Sequence, residues 1–325
     1  MSLAVLQRSS LHMVLLSLAC LCWPTLRADV TSADLALQAG RASQAQQLLT
    51  QSLAATPSDA KAHQLLCRLY YAEDMADAAI SECLQAVARA PSDSDDQMWL
   101  GRAYGLKASE ANPFSALQLA KSVHAAFERS VQLNPRNVPA LSDLGEFYVG
   151  APSVLGGGLD KAEALAKQMD PVSPAAGYRL LALVATARSD IHSAEMNFKA
   201  AVNAGHSPEA YVDLAHFYEQ HERPEDAVAQ VQAAIAADRR KDAALVDAAS
   251  ILISAKRRPD LAENLLRAYL NSDAKSDAAP AFQVHVKLGK LLKKQSDTTG
   301  ARREFAAALA LAPDYVPAQK AARSL

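Results

Sequence analysis

The chemistry open to this chain depends on a few residue groups, and the first is a glycine run. Gly156, Gly157 and Gly158 come just before a helix-like segment, with Lys161 close behind. Backbone N–H groups at a helix start, with a lysine nearby, are typical of an anion site. The run matches neither a nucleotide P-loop nor a dinucleotide fingerprint, and no strand pattern precedes it. The sequence therefore favours a flexible connector here over an anion site.

Residues for catalysis or metal binding do not occur in productive patterns. The histidines are dispersed, and His216 and His221 are five residues apart, which does not place them on one helix face. No carboxylate–histidine spacing indicates zinc. A nucleophile elbow, a Cys/His pair in a recognisable context and a phosphate-binding loop are also missing from the sequence. The sequence predicts no catalytic residue, no metal site, no cofactor and no enzymatic activity.

Four lysines near the C-terminus recur at short helical spacing: Lys287, Lys290, Lys293 and Lys294. Spacings of three and four residues place side chains on one side of a helix. One interpretation is a solvated face. The other is a contact for an acidic partner or an anionic lipid surface.

A recurring pattern predicts the elements that position these residues. A small residue is followed four positions later by a larger one, then three later by another small one, as in Ala79, Cys83 and Ala86. Proline often comes five positions after that. The period is close to that of helical hairpins, with consecutive spacings of 34, 32, 33, 35 and 39 residues between anchors. The anchors are Ala45, Ala79, Ala162, Ala194, Ala227, Ala262 and Ala301, with Val123 in the long gap.

Composition agrees with packed helices. Hydrophobic residues make up 50% of the chain but aromatic residues only 6%, a mixture that suits close helix packing through alanine. No sustained alternation of β-branched residues indicates a sheet. The net charge is −2, and this mild acidity argues against a nucleic-acid partner, which usually needs a basic face.

The first helices of several copies have Leu, then a small residue, then Tyr three positions later; joined to the recurring small–large–small segment, this frame resembles the tetratricopeptide repeat, as in an exported bacterial protein of that family. Leu100-Gly101-x-x-Tyr104, Leu144-Gly145-x-x-Tyr148 and Leu214-Ala215-x-x-Tyr218 share one frame. The resemblance covers about residues 30 to 313. It implies an all-α fold, a right-handed α-solenoid superhelix of about eight helix-turn-helix repeats, with first helices along the inner groove. We expect repeats at 30–58, 59–92, 93–137, 138–174, 175–207, 208–241, 242–280 and 281–313, and a capping helix at 316–325.

The first 28 residues have the features of a secretory signal peptide. Arg8 precedes a short apolar run, Pro24 interrupts it, and Ala28 is a small residue at the expected cleavage position. We expect a mature chain that starts at Asp29, secreted or periplasmic, with no integral membrane segment. The alternative is a lipid anchor on Cys20, because Ser17 to Cys20 partly resembles a lipoprotein box.

Cleavage after Ala28 would leave two cysteines, Cys67 and Cys83. In the repeat frame, Cys67 takes the small-residue position of one helix and Cys83 the larger position of its partner. Both are therefore expected in the same hairpin interface. An oxidising compartment permits a disulfide between them, and two buried free thiols are the alternative.

The resemblance also indicates where a ligand would bind. Residues three apart on first helices face the groove together, which selects Arg68 with Tyr71 and Trp99 with Arg102. Arginine, tyrosine and tryptophan are enriched at binding hot spots. The alternative is that Trp99 fills the seam between hairpins while the arginines pair with acids across the groove.

Taken together, the sequence predicts an exported scaffold that binds a peptide or protein segment in its groove. Envelope assembly, secretion or exopolysaccharide machinery is the expected setting. The alternative is a structural, self-associating envelope protein that uses its convex face and open ends.

Overall fold

The computed structural model describes residues 25–325, and every regular element in this range is helical. The predicted all-α fold class is confirmed. The predicted signal segment lies mostly outside the described residues, as does Cys20, while Ala28 lies in the first turn of α1. The seventeen α-helices of the described range are α1 (Thr25–Gln38), α2 (Ala42–Ala55), α3 (Ala60–Ala72), α4 (Ala76–Arg89), α5 (Ser94–Glu110), α6 (Pro113–Leu133), α7 (Val138–Gly150), α8 (Leu159–Met169), α9 (Pro174–Ala187), α10 (Ile191–Gly205), α11 (Pro208–Gln220), α12 (Pro224–Ala237), α13 (Ala244–Ser254), α14 (Pro259–Leu270), α15 (Ala281–Lys294), α16 (Thr298–Leu311) and α17 (Val316–Arg323).

Local sequence explains where the first helices of hairpins begin. Asp59, Asp93, Asn137 and Ser207 immediately precede α3, α5, α7 and α11. Each side chain accepts a hydrogen bond from a backbone N–H of the first turn. For example, the backbone N–H of Lys61 donates to Asp59 Oδ1 at 2.9 Å. These N–H groups have no partner within the helix, so the cap stabilises the helix start.

In the third and eighth hairpins, a small residue on the first helix faces a larger one on the second. A Cβ added at Gly289 would overlap the ring of Phe305, and one added at Gly101 would overlap the ring of Phe127. The missing side chain therefore lets the two helices approach while the ring fills the gap between them. Phe305 is 1% exposed and Phe127 is 6% exposed, so both rings lie in the core.

The first helices form the inner layer of the solenoid. Consecutive first helices, from α1 and α3 through α11 and α13, pack directly on one another. Across the described residues, no comparable contact joins the second helices of successive hairpins. Elements that pack closely from one hairpin to the next lie on the inside of a curved stack.

The chain curves until its two ends meet. Arg68 on α3 is paired with Asp277 in the loop before α15, and Gln283 Nε2 donates to Ala72 O at 2.6 Å. Gly40, with φ +70°, lies so close to α15 that a Cβ there would overlap the backbone nitrogen of Ala281. The first two hairpins and the eighth hairpin are therefore neighbours. The short helix α17 packs on α15 and α16 and buries Ala318 and Ala321.

Candidate functional site

The predicted groove residues meet in one cluster around Trp99. The Trp99 ring lies 5.4 Å from the guanidinium carbon of Arg68 and 4.7 Å from that of Arg102. Tyr71 meets the same ring edge-on, with centroids 5.5 Å apart at 73°. All four side chains are half-buried. The structure thus unites two residues of α3 with two of α5 on the inner layer, with contacts typical of cation–π and edge-to-face pairs.

Both arginines in this cluster also pair with acids. Arg102 donates to Asp143 on α7 through Nε at 2.6 Å and a terminal nitrogen at 3.3 Å. Arg68 donates through Nε to Asp277 at 2.7 Å, and Asp34 lies 3.9 Å from another of its nitrogens. This is the pairing across the groove that the alternative interpretation of the sequence expected. The carboxylates hold the guanidinium groups against Trp99, so neither arginine of the cluster is a free cation, and the half-buried ring packs on the core of the neighbouring hairpins.

Burial shapes the titration of these groups. It raises the pKa of Asp143, and the hydrogen bond and charge of Arg102 offset only part of that rise. Burial lowers the pKa of Arg68, but the hydrogen bond and charge of Asp277 outweigh it and the net shift is upward. Burial also raises the pKa of Tyr71. Arg68 is cationic and Tyr71 neutral at physiological pH.

Similar polar contacts continue along the inner layer beyond the cluster. Arg179 on α9 donates to Asp213 on α11 at 2.9 Å and to Glu146 on α7 at 2.7 Å. Farther along, Lys287 on α15 donates to Ser250 on α13. These bonds each join consecutive first helices, so they set the spacing of the hairpins. The alternative interpretation of the sequence expected arginines to pair with acids across the groove, but it did not assign the partners. Aligning the repeat frames places Asp143, Asp213 and Lys287, like Trp99, just before the core residue that opens the motif.

The cysteine pair lies where the repeat frame placed it. Cys67 on α3 and Cys83 on α4 are joined as a disulfide, with Cα atoms 5.1 Å apart. The pair is 0% and 1% exposed and occupies the place that Gly289 and Phe305 take in the eighth hairpin. The second hairpin therefore has a covalent bond where others have a ring against a small residue. Cys67 is one residue away from Arg68, so the bond also anchors the helix that supplies the aromatic cluster.

The glycine run does not form an anion site. The N–H groups of Gly156, Gly157 and Gly158 donate to the carbonyls of Ser153, Pro152 and Tyr148, respectively. Lys161 Nζ donates to Gly156 O at 2.8 Å. Because these donors are satisfied inside the turn, nothing in the run is directed at a ligand. The segment is a connecting turn held by hydrogen bonds of its own.

The four predicted lysines all border one cavity near the end of the chain. Lys290, Lys293 and Lys294 are exposed, whereas Lys287 is half-buried. Burial lowers the pKa of Lys287, and the charge of Asp247 offsets part of that change. Within residues 25–325, no cluster of His, Cys, Asp and Glu side chains has the geometry to bind a metal ion, and no helix has both the length and the apolar character to cross a bilayer.

Comparisons with known proteins bear on the fold. Residues 36–102 match the tetratricopeptide repeat family. The structure of yeast Tom70 is 17% identical, with a TM-score of 0.53 over 87% of this chain and 58% of that one. At this identity the likeness concerns the fold alone.

Two further solved structures are similar over most of their own length. TTC0263, a thermophilic TPR protein of Thermus thermophilus, is 23% identical with a TM-score of 0.42, over 75% of this chain and 97% of that one. YrrB, described as a TPR protein with an unusual peptide-binding site, is 18% identical with a TM-score of 0.39, over 62% of this chain and 98% of that one. No curated protein matches the sequence.

Proposed function

We propose that this helical solenoid, part of which matches the tetratricopeptide repeat family, is a non-enzymatic scaffold that binds a peptide or protein segment on its inner layer of first helices. The observation that supports this function most directly is the cluster around Trp99. A half-buried indole, flanked by two arginines and a tyrosine, is the composition of a binding hot spot. Ion pairs hold the cluster in place before any ligand arrives, which reduces the entropy cost of binding.

The test uses peptides selected from a random display library against the full chain. Affinity is read from the fluorescence of Trp99 in a Trp23→Phe background, because these are the two tryptophans of the sequence. Loss of a hot-spot side chain typically costs about 2 kcal/mol or more, so Trp99→Leu should weaken binding roughly thirtyfold when measured by calorimetry. Phe114→Ala is the matched control, since Phe114 is an aromatic 77% exposed on the extension of the third hairpin. Equal affinity of Trp99→Leu and the parent, with unchanged circular dichroism, would rule out this surface.

Export is part of the proposal. It is supported by the charged start, the apolar run and Pro24 in the sequence, and by a disulfide, which suits an oxidising compartment. Mass spectrometry of the protein from its native host should give a chain beginning at Asp29. A retained Met1, or a lipid on Cys20, contradicts this. The proposed setting is envelope assembly, secretion or exopolysaccharide machinery.

Self-association through open ends has less support. The two end hairpins contact each other, for example where Ser43 Oγ on α2 donates to Leu311 O on α16 at 3.3 Å, so parts of these ends are occupied within one chain. A sedimentation coefficient that stays constant over a hundredfold range of concentration is expected.

A further inference from the structure

A cavity of about 540 Å³ opens between α13, α15, α16 and α17, at the C-terminal end of the inner layer. This size lies within the range of small-molecule sites. Its lining divides into an apolar part and a cationic part. The apolar part is Ile253, Leu291, Phe305 and Ala321, and the cationic part is Lys287, Lys290, Lys293 and Lys294, with Ser324 beside them.

The lysines differ in what they contact. Lys287 donates to Ser250, and Lys293 Nζ donates to Ser324 O at 2.6 Å. The first bond holds the Lys287 ammonium against α13, and the second holds the Lys293 ammonium against the end of α17. Lys290 and Lys294 are exposed, four residues apart on the same face of α15. An anionic group that enters between them gains two charge-assisted contacts.

The polar lining consists almost entirely of hydrogen-bond donors. A lysine ammonium has three donors and no acceptor. Ser324 Oγ is the one side-chain oxygen among the lining residues, and it already donates to Ala321 O at 2.7 Å and lies 3.1 Å from Lys293 Nζ. An extended peptide brings a backbone N–H with every residue, and a buried N–H without an acceptor is costly. The lining thus matches a ligand that has acceptors and an apolar body but no donors.

We propose that this cavity binds an amphiphile with one acyl chain and an anionic head. The chain lies along the apolar lining, of which Ile253 is the most exposed member, and the head lies between Lys290 and Lys294. This site is separate from the Trp99 cluster and does not depend on the peptide binding proposed above.

Calorimetry with octanoate, decanoate and dodecanoate, below their micelle concentrations, tests the apolar part of the site. Each added CH₂ that becomes buried should raise the affinity about fourfold. Dodecyltrimethylammonium, with the same chain and a cationic head, should not bind. An affinity that does not change with chain length overturns the proposal, because the lysines would then be pairing with the head alone.

A charge variant tests the cationic part. Lys290→Gln combined with Lys294→Gln should weaken dodecanoate binding at least tenfold. Lys121→Gln combined with Lys167→Gln removes the same charge from exposed positions on α6 and α8 and should change nothing. Both pairs of substitutions are at exposed positions, so we expect both variants to fold like the parent. Far-ultraviolet circular dichroism measures whether their helix content is unchanged. Equal affinity in the two variants overturns the assignment of the head site.

An acidic peptide with one leucine, Glu-Glu-Leu-Glu-Glu with blocked ends, is the competing occupant. It should neither bind appreciably nor displace dodecanoate. Displacement of dodecanoate by this peptide at lower concentration than by decanoate would show that the cavity recognises acidic peptides instead. Loss of peptide binding at Trp99 would leave this result unaffected, so failures of the two proposals are distinguishable.

Discussion

Arg68 and Asp277 form an ion pair at 2.7 Å although 209 residues separate them in the chain. Their side chains are only 15% and 12% exposed. The pair joins the second hairpin to the loop before the eighth, and it also holds the guanidinium of Arg68 against Trp99. Closure of the solenoid and the geometry of the aromatic cluster therefore depend on the same contact.

The first prediction concerns this pair. Arg68→Ala leaves the Asp277 carboxylate largely buried without its partner, and the free energy of unfolding should fall by about 3 kcal/mol. The urea midpoint measures the loss, and small-angle X-ray scattering should show a larger radius of gyration as the ends separate. Lys107→Ala breaks the exposed pair with Asp77 and is the control, for which both measurements should stay at the parent values. If the two variants behave alike, the pair does not hold the ends together.

The second prediction uses a pair of glycine substitutions. Gly40 has φ +70° and lies against Ala281, so Gly40→Ala introduces both an unfavourable backbone conformation and an overlap. Its free energy of unfolding should fall by roughly 2 kcal/mol. Gly105 lies inside α5 with open space around its Cβ position, so Gly105→Ala should raise the stability by up to about 1 kcal/mol. Chemical denaturation of both variants should give opposite signs; a neutral Gly40→Ala would show that α15 does not press on this turn.

The third prediction concerns pH. Glu73, 7% exposed at the end of α3, has its pKa raised to about 7 by burial and by the charge of Asp314. In the unfolded chain a glutamate titrates near its ordinary value of about 4.3. The folded state thus keeps a proton that the unfolded state loses, and this contribution to stability, complete below about pH 4, disappears as the pH rises through about 7.

Glu73→Gln removes that dependence. At pH 8 the variant should be more stable than the parent by about 3–4 kcal/mol, and near pH 4 the two should agree. Urea midpoints at half-unit pH intervals measure the difference. Glu222→Gln, at an exposed turn, should show no such pH-dependent difference in stability from the parent. The comparison isolates Glu73, because Asp96, whose pKa is raised to about 6 by burial, is present in all three proteins.

The fourth prediction concerns Cys67 and Cys83. Digestion without reductant should yield one linked peptide pair, and titration of thiols in denaturant should find neither cysteine reactive. Closing a loop of this length contributes on the order of 3 kcal/mol, so reduction should lower the urea midpoint. Cys67→Ala combined with Cys83→Ala should abolish the sensitivity to reductant. Two reactive thiols at these positions would support the alternative of buried free cysteines.

Much of the fold could be predicted because its determinants are local. The small and large residues that pack Gly289 on Phe305 are 16 positions apart, within a single hairpin, so their spacing is visible in the sequence. The caps at Asp59 and Asp93 lie next to the helices that they start. The same locality explains why Cys67 and Cys83 could be assigned to one interface, while the sequence left their bonding open.

The site was only partly predictable because its contacts cross hairpins. The sequence alone determined that Arg68, Tyr71, Trp99 and Arg102 lie on neighbouring first helices. Only the tertiary structure decided that Asp143 and Asp277 neutralise the arginines, and that Lys287 is half-buried while Lys290 is exposed. The physical reason is that each hairpin rotates slightly on the one before it. Small rotations, summed from the second hairpin to the start of the eighth, bring Asp277 to Arg68, and no local pattern in the sequence encodes that sum.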